Sequence, residues 1–324
     1  MPNPLQVSVV GLGPIGLAAA KAVVADPQMT LAGLVDVSPD LVGSSPVDGG
    51  PKVTETLQAA DVAIVCTTSD FDKMEPLLRA AARQKTHVVS SCEEMLWPTY
   101  RHADLAKELN AVATEAGVAF LGTGVNPGFV LDTLPVVLSS MVLEVSAVRA
   151  RRRVDAGTRR KPLQAKVGAT MTVEAFDERR RANTIGHRGM AESVALVASG
   201  LGRTVEAGSV EETLEPVVAK AATPSALGEI APGQVAGIHN VGRWRGDGLD
   251  VELDLIMSVG WDDPHDAVEL DGPVPLRMKL DGGTPGDSAT VAALVNAARV
   301  LPHINPGIRT MLDLGHQPAA RSSA

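Results

Sequence analysis

The chain has 324 residues, 45% hydrophobic and 21% charged, a balance that suits a soluble globular protein with room for two domains. Aromatic residues make up only 2%, so the core must be built from Ala, Val and Leu, and the stacking platforms that bind single-stranded nucleic acid are not expected. A formal net charge of -9 repels phosphate backbones, which argues against nucleic acid as a partner.

The opening MPNPLQVSVV has no basic region ahead of an apolar stretch and no small-residue cleavage pattern, so it does not read as a signal peptide. No run reaches ~18 uninterrupted apolar residues, and no membrane span is expected. Cys66 and Cys92 are the only cysteines, and two thiols without a framework suit a reducing cytoplasm. None of the seven histidines falls in HExxH or a comparable ligand spacing, so no metal is expected.

Leu5 to Val10 (LQVSVV) is short, apolar and β-branched, which predicts a buried strand. It runs into GLGPIG and then IGLAAAKAVVA, a helix with Pro14 and Ile15 in its first turn. A second strand, Thr30 to Val35, ends at Asp36. This is the strand, glycine turn, helix, strand unit of a Rossmann dinucleotide fold. Gly11 permits the tight turn, Gly13 lets the backbone approach a pyrophosphate, and Gly16 lets helix pack on strand. The free N–H groups at the helix start face the phosphates. Asp36, 20 residues beyond Gly16, is placed to accept hydrogen bonds from the adenosine ribose. A 2′-phosphate beside it meets repulsion of up to ~4 kcal/mol at an effective dielectric of 20. No Lys or Arg follows in DVSPDLVGSSPVDGG to offset that, so NAD(H) is preferred and NADP(H) is the second choice.

The pattern repeats in DVAIVCTTS (61–69), THVVSS (86–91) and GVAFLGTGVNPG (117–128), with helical stretches between them. Ligands of open α/β sheets bind beyond the carboxyl ends of the strands. Thr67, Thr68, Gly124, Asn126 and Pro127 lie at those ends, and so do Glu93 and Glu94 of VVSSCEEMLW. Beyond FVLDTLPVVLSSM, read as a helix, the texture changes. VSAVRARRRVDAG, TLEPVVAKAATP, GQVAGIHNVGRWRG, LDVELDLIMSVG and VPLRMKLDG predict a β-rich second domain, with a helix at MAESVALVASGLG. SATVAALVNAARVLPHI is a helix expected to return to the first domain. The fold class is therefore α/β: a Rossmann dinucleotide-binding domain over 1–130, a β-rich (α+β) substrate and dimerisation domain over 131–284, and a returning helix and tail over 285–324.

CEEMLWP (92–98), GTGVNPGFVLDTLP (122–135), RRVDAGTRRKPLQAKVG (152–168), GHRGMAES (186–193), GQVAGIH (233–239) and INPGIRTMLDL (304–314) carry a resemblance over nearly the whole chain. The chain resembles the dihydrodipicolinate reductase-like group and, within it, the 2,4-diaminopentanoate dehydrogenases and native amine dehydrogenases. True dihydrodipicolinate reductases carry a histidine pair and a lysine ahead of an Asp-Ala-Pro-Ser-Gly-Thr run. Here RRRVDAGTRR keeps Val154, Asp155 and Ala156 but lacks the rest, so reduction of a cyclic dicarboxylate is not implied.

The resemblance implies NAD(P)H-dependent reductive amination of a ketone or aldehyde with ammonia, a homodimer, and a catalytic glutamate in the CEE segment. Such a carboxylate is a general acid/base on a carbinolamine and faces the cationic iminium. Neighbours in an extended segment point opposite ways, so one of the pair faces the pocket; Glu93 is favoured, with Glu94 next. The competing structural reading is an acid pair opening a helix. Phe129, Leu134, His187 and His239 are candidates to line the substrate cavity, and Met171 and Ile185 lean toward small aliphatic substrates. Arg152 or Arg153 is a candidate carboxylate anchor, although the runs 151–153, 159–161 and 179–181 also suit solvated strand edges or subunit contacts. Two rival functions remain: an acylating semialdehyde dehydrogenase using a Cys92 thiolate, and a nucleotide-sensing protein without turnover.

Overall fold

The structure is a computed structural model that describes residues 3–315. The expected tail beyond Gly315 lies outside them. Internal contacts divide the chain into two compact units: the segment up to Phe129 together with the segment from Pro285 on, and Val130–Thr284.

The first unit is built from β1 (Leu5–Val10), α1 (Pro14–Val24), β2 (Met29–Val35), β3 (Val53–Thr54), β4 (Val62–Val65), α2 (Glu75–Arg83), β5 (His87–Ser90), α3 (Ala103–Ala116) and β6 (Ala119–Gly122). The second holds α4 (Thr133–Ser139), β7 (Ala147–Asp155), α5 (Lys161–Lys166), α6 (Val173–Arg181), α7 (Met190–Gly200), β8 (Glu211–Val218), β9 (Thr223–Ser225), β10 (Gly228–Ile230), β11 (Val235–Gly246), β12 (Leu249–Ser258), β13 (His265–Asp271) and β14 (Leu276–Asp281). The chain then returns through α8 (Gly286–Val300) and β15 (Gly307–Arg309).

The first unit's sheet is parallel with seven strands in the order β15-β6-β5-β4-β1-β2-β3. Its central strands are rich in buried apolar residues because both faces are covered. Val7, Val9, Val62, Ile64, Val89 and Leu121 join one core with Ala19, Ala20 and Val23 of α1 and Leu294 and Ala298 of α8. The alternating residues Ala63, Val65, Val88 and Phe120 join Leu78 and Ala81 of α2 and Leu109 and Ala113 of α3 in the other. Small Ala faces let these helices sit close to the Val-rich sheet. Strand order reverses direction between β1 and β4, so the carboxyl ends of β1, β4, β5 and β6 open on one crevice.

The second unit carries a six-stranded mixed sheet, order β14-β13-β7-β12-β11-β8. Along β7, Val148, Ala150 and Arg152 are buried while Arg149, Arg151 and Arg153 are half-exposed. Val148 and Ala150 share a core with Val194, Val197 and Ala198 of α7 and Leu253 and Leu255 of β12. The second set forms a charged face: Arg149 pairs with Asp271, Arg151 with Glu269, Arg153 with Asp254, and Arg243 with Glu252.

Several elements differ from the sequence expectations. NPGIRTMLDLG supplies β15, which pairs with β6 through Gly307↔Ala119 to Arg309↔Leu121. With one apolar side chain in three residues, β15 has no periodic signal to read. HDAVELD forms β13, whose alternation is masked because charged Asp266 shares the buried face with Val268 and Leu270. The run Arg179-Arg180-Arg181 is no strand edge: it ends helix α6, where cations complement the helix dipole.

His87 makes the first unit's stability depend on pH. Its Nδ1 accepts the Ala119 N–H at 3.0 Å, joining β5 to β6. Burial lowers its pKa below the ordinary 6.5, opposed by Asp61 and assisted by His303. The unfolded chain therefore binds a proton that the folded chain refuses, and stability falls as pH drops through 6.5 toward the folded value. Urea midpoints measured from pH 7.5 to 5.5 should decline, and His87→Asn, which keeps an acceptor that does not titrate, should flatten the decline. Equal slopes in both proteins would contradict this assignment.

Candidate active site

The glycine turn between β1 and α1 is shaped by three glycines with different constraints. Gly11 has φ +84°, and a Cβ there would lie 2.7 Å from the Cys66 carbonyl oxygen. A Cβ on Gly16 would lie 1.9 Å from the Gly11 carbonyl oxygen, so helix and strand touch at that point. Gly13 is constrained by neither cause: its φ is -65°, and a Cβ there would meet nothing within 4 Å. A glycine that neither backbone nor packing requires leaves space for something else to approach. Gly13 is also the N-cap of α1, with no side-chain cap, Pro14 following and Ile15 packed toward the core. The cradle fits a pyrophosphate.

Asp36 stands at the end of β2 and clamps this turn. Its Oδ2 accepts the Leu12 N–H at 2.6 Å and its Oδ1 the Ser38 N–H at 2.8 Å. A carboxylate offers about four acceptor sites, which leaves capacity for ribose hydroxyls. Both oxygens being tied to backbone, the negative charge cannot swing away from a 2′-phosphate. At the end of β4, Thr67 is exposed beside Gly11, and Thr68 Oγ1 accepts the Asp70 N–H at 3.1 Å.

After β5 the chain does not stay extended. Ser90, fully buried, donates its hydroxyl to the Val65 carbonyl and accepts the Cys92 N–H, and Glu93–Leu96 then turns into a short 3₁₀ helix. The opposite-faces argument for the two glutamates therefore does not hold. Their separation comes from burial instead. Glu94 is 5% exposed, and its Oε2 accepts the Phe71 N–H at 2.9 Å and meets His102 Nε2 at 3.0 Å. Glu93 opens the turn and is half-buried. The turn rests on β6, since a Cβ on Gly122 would come within 2.4 Å of the Met95 backbone.

Cys92 is 1% exposed, and burial pushes its thiol up to about 12, with Glu94 and Glu93 adding to the rise. A protonated, inaccessible thiol cannot attack a carbonyl. The acylating reading loses its nucleophile. Cys66, pushed by burial up to about 11, offers no substitute.

Loop 123–128 follows β6. The Val125 N–H donates to Thr290 Oγ1 on the returning helix α8 at 3.3 Å, and Gly124 lies against the same side chain. The Asn126–Pro127 peptide is cis. Thr123 Oγ1 and Asn126 Oδ1 are buried without a hydrogen-bond partner. Native structures satisfy nearly all such atoms, so this loop fits a polar ligand group. Phe129, which ends the first unit, is 42% exposed.

The second unit treats its candidates differently. Arg152 is corrected outright: it is 2% exposed, its Nη1 lies 3.2 Å from Asp266 Oδ2, and its Nη2 donates to the Thr284 carbonyl at 2.8 Å. Asp266 in turn accepts the Thr284 N–H at 2.6 Å. Burial lowers the Arg152 pKa, and the pair anchors the end of the second unit rather than a substrate carboxylate. The signal was in the pattern, since Arg152 is in phase with Val148 and Ala150. Arg153 grips Asp254 with both terminal nitrogens, and His239 Nε2 meets the same carboxylate at 2.9 Å on the open face of the sheet. Leu134 packs against the helix-covered core, with Met171 beside the same cluster and Ile185 inside it. His187 lies half-buried in the loop before α7. The retained Asp155 accepts the Gly157 and Gly260 N–H groups, and so shapes backbone. Gln164, fully buried, accepts the Ala226 N–H and donates to the Arg159 carbonyl, stiffening the loop that holds the second basic run.

Sequence reasoning missed His102, Phe71 and Thr290. Each acts through a contact distant in sequence, and no local pattern marks it. Among the described residues, no group of three or more His, Cys, Asp or Glu is placed to hold a metal ion, and no helix is long and apolar enough to cross a membrane.

Residues 129–323 match the family model of the 2,4-diaminopentanoate dehydrogenase C-terminal domain. The chain is 31% identical over 268 residues to 2,4-diaminopentanoate dehydrogenase of Acetoanaerobium sticklandii, covering 80% of this chain and 75% of that one. It is 25% identical to an amine dehydrogenase of Streptomyces virginiae, covering 95% and 96%. Its fold is similar to that of an amine dehydrogenase from Mycobacterium smegmatis, with a TM-score of 0.85 at 23% identity and 98% of both chains covered.

The glycine cradle gives a direct prediction. Gly13→Ala should change unfolding stability by no more than about 1 kcal/mol, yet weaken NADH binding about tenfold or more by direct titration. Gly16→Ala should instead fail to fold or melt far lower. Unchanged NADH affinity in a folded Gly13→Ala protein would contradict the cradle.

Proposed function

The chain belongs to the 2,4-diaminopentanoate dehydrogenase family, and on that premise we propose that it reductively aminates a ketone or aldehyde with ammonia, or runs the reverse deamination. It is an oxidoreductase of the NAD(P)-dependent kind that acts on amines. Membership of an enzyme family replaces the nucleotide-sensing alternative.

The Gly11–Gly16 turn holds the pyrophosphate of the cofactor, Asp36 the adenosine ribose, and loop 123–128 the nicotinamide end. When bound, the reduced nicotinamide supplies the hydride. The clamped charge of Asp36 favours NADH over NADPH.

Glu93 is the general acid/base. Its carboxyl protonates the hydroxyl of the carbinolamine formed from carbonyl and ammonia, so that water leaves and the carbon becomes an iminium. The resulting carboxylate then faces that cation. In reverse, the carboxylate accepts the proton from the attacking water. One observation supports this assignment: Glu94 is 5% exposed and bonded to Phe71 and His102, whereas Glu93, which opens the turn at the strand tips, is only half-buried. The substrate is a small carbonyl or amine, and the chain works as a homodimer, which light scattering would report as twice the chain mass.

A spectrophotometric screen of NADH and NADPH with short ketones, aldehydes and 2-amino-4-oxopentanoate should show cofactor consumption that requires ammonium. Glu93→Gln should lower kcat by about 10²-fold or more while NADH affinity stays within about twofold. Consumption independent of ammonium, or full turnover in Glu93→Gln, would refute the reading.

A further inference from the structure

We infer that His102 and Glu94 are positioning residues that set the direction in which Glu93 leaves the backbone; this rests on the reading of Glu93 as the acid/base.

The 3₁₀ turn Glu93–Leu96 has about three residues per turn, so neighbouring side chains leave it roughly 120° apart. Fixing the rotation of Glu94 about the turn axis therefore fixes that of Glu93. Glu94 is held from two other elements. The loop after β4 takes its backbone N–H at Ser69 O, 3.2 Å away, and returns the Phe71 N–H to its carboxylate. From the start of α3, His102 reaches the same oxygen. A carboxylate only accepts, so Nε2 carries the hydrogen in this contact. Gly122 beneath the turn closes the remaining direction, because the Met95 backbone lies against it.

His102 itself breaks a local rule. It is the N-cap of the 14-residue helix α3, a place where Ser, Thr, Asp or Asn stabilises a helix by bonding its free N–H groups. His102 makes no side-chain cap bond. Its ring instead lies against Phe71, with centroids 5.7 Å apart, and points its nitrogen at Glu94. The helix forgoes a cap, and the turn bearing the glutamates gains an anchor. A purely structural need at this position is met more simply by Ser or Asp. The site's chemistry explains why a donor of this length is present.

A double-variant cycle tests the pair. His102→Leu should lower kcat about tenfold while NADH affinity stays within about twofold. His102→Gln, which keeps a donor near the Nε2 position, should restore most of the rate. In a Glu93→Gln background, His102→Leu should change the residual rate by less than about twofold, because its effect passes through Glu93. A general loss of structure would instead slow both backgrounds alike. Full kcat in His102→Leu, no rescue by His102→Gln, or a further tenfold loss in the double variant would each overturn the inference. If His102→Leu does not fold, Glu94→Gln, which keeps an acceptor for Phe71, takes its place, and a loss of kcat under twofold overturns it. A fully active Glu93→Gln protein identifies a different failure, that of the acid/base assignment itself.

Discussion

A carboxylate that is 5% exposed must be bonded or it destabilises the fold by several kcal/mol. Glu94 meets that demand with a backbone N–H from the loop after β4 and an imidazole from the start of α3. The consequence reaches beyond stability. Those two segments and the turn after β5 are tied together at the carboxyl edge of the sheet. A second acid, Glu93, stands next to it in sequence at the start of the same turn.

The parallel sheet supplies the rest of the setting. Its strand tips bring the glycine turn, Asp36, the glutamate turn and loop 123–128 to one edge from four separate parts of the chain. The first of these is held by Asp36, which accepts from Leu12 and Ser38. The last is held by Thr290 of the returning helix, which ties residue 125 to a part of the chain 165 residues later. An edge assembled in this way depends on α8 and β15 completing the layer. The second unit solves a different problem, placing Arg152 and Asp266 together inside an apolar layer while the remaining arginines of β7 pair on the opposite face.

Much of this was legible before any coordinates. The β1–turn–α1–β2 unit stands out because its glycines, its alanine-rich helix and Asp36 each answer a separate physical demand at fixed spacing. β11, β12 and α7 were legible because hydrophobic period and length agreed. β15 was not, being three residues long with a glycine and an arginine. Arg152 was one candidate ligand anchor beside strand-edge and subunit-contact readings of the same run; the strand sends the three arginines to alternate faces and buries Arg152. The glutamate pair was half-read: the costly acid was visible, but its partner His102 was not, since nothing in the seven residues between Glu94 and His102 records a contact. Tertiary contacts of this kind leave no periodic trace in a single sequence.

The division of labour between the two glutamates is tested most directly by a crystal structure of the chain with the oxidised cofactor and an amine it turns over slowly. The account predicts a Glu93 carboxylate oxygen within about 3.2 Å of the amine nitrogen, with Glu94 still bonded to Phe71 and His102. An amine nitrogen resting on Glu94, or on no carboxylate at all, would contradict it.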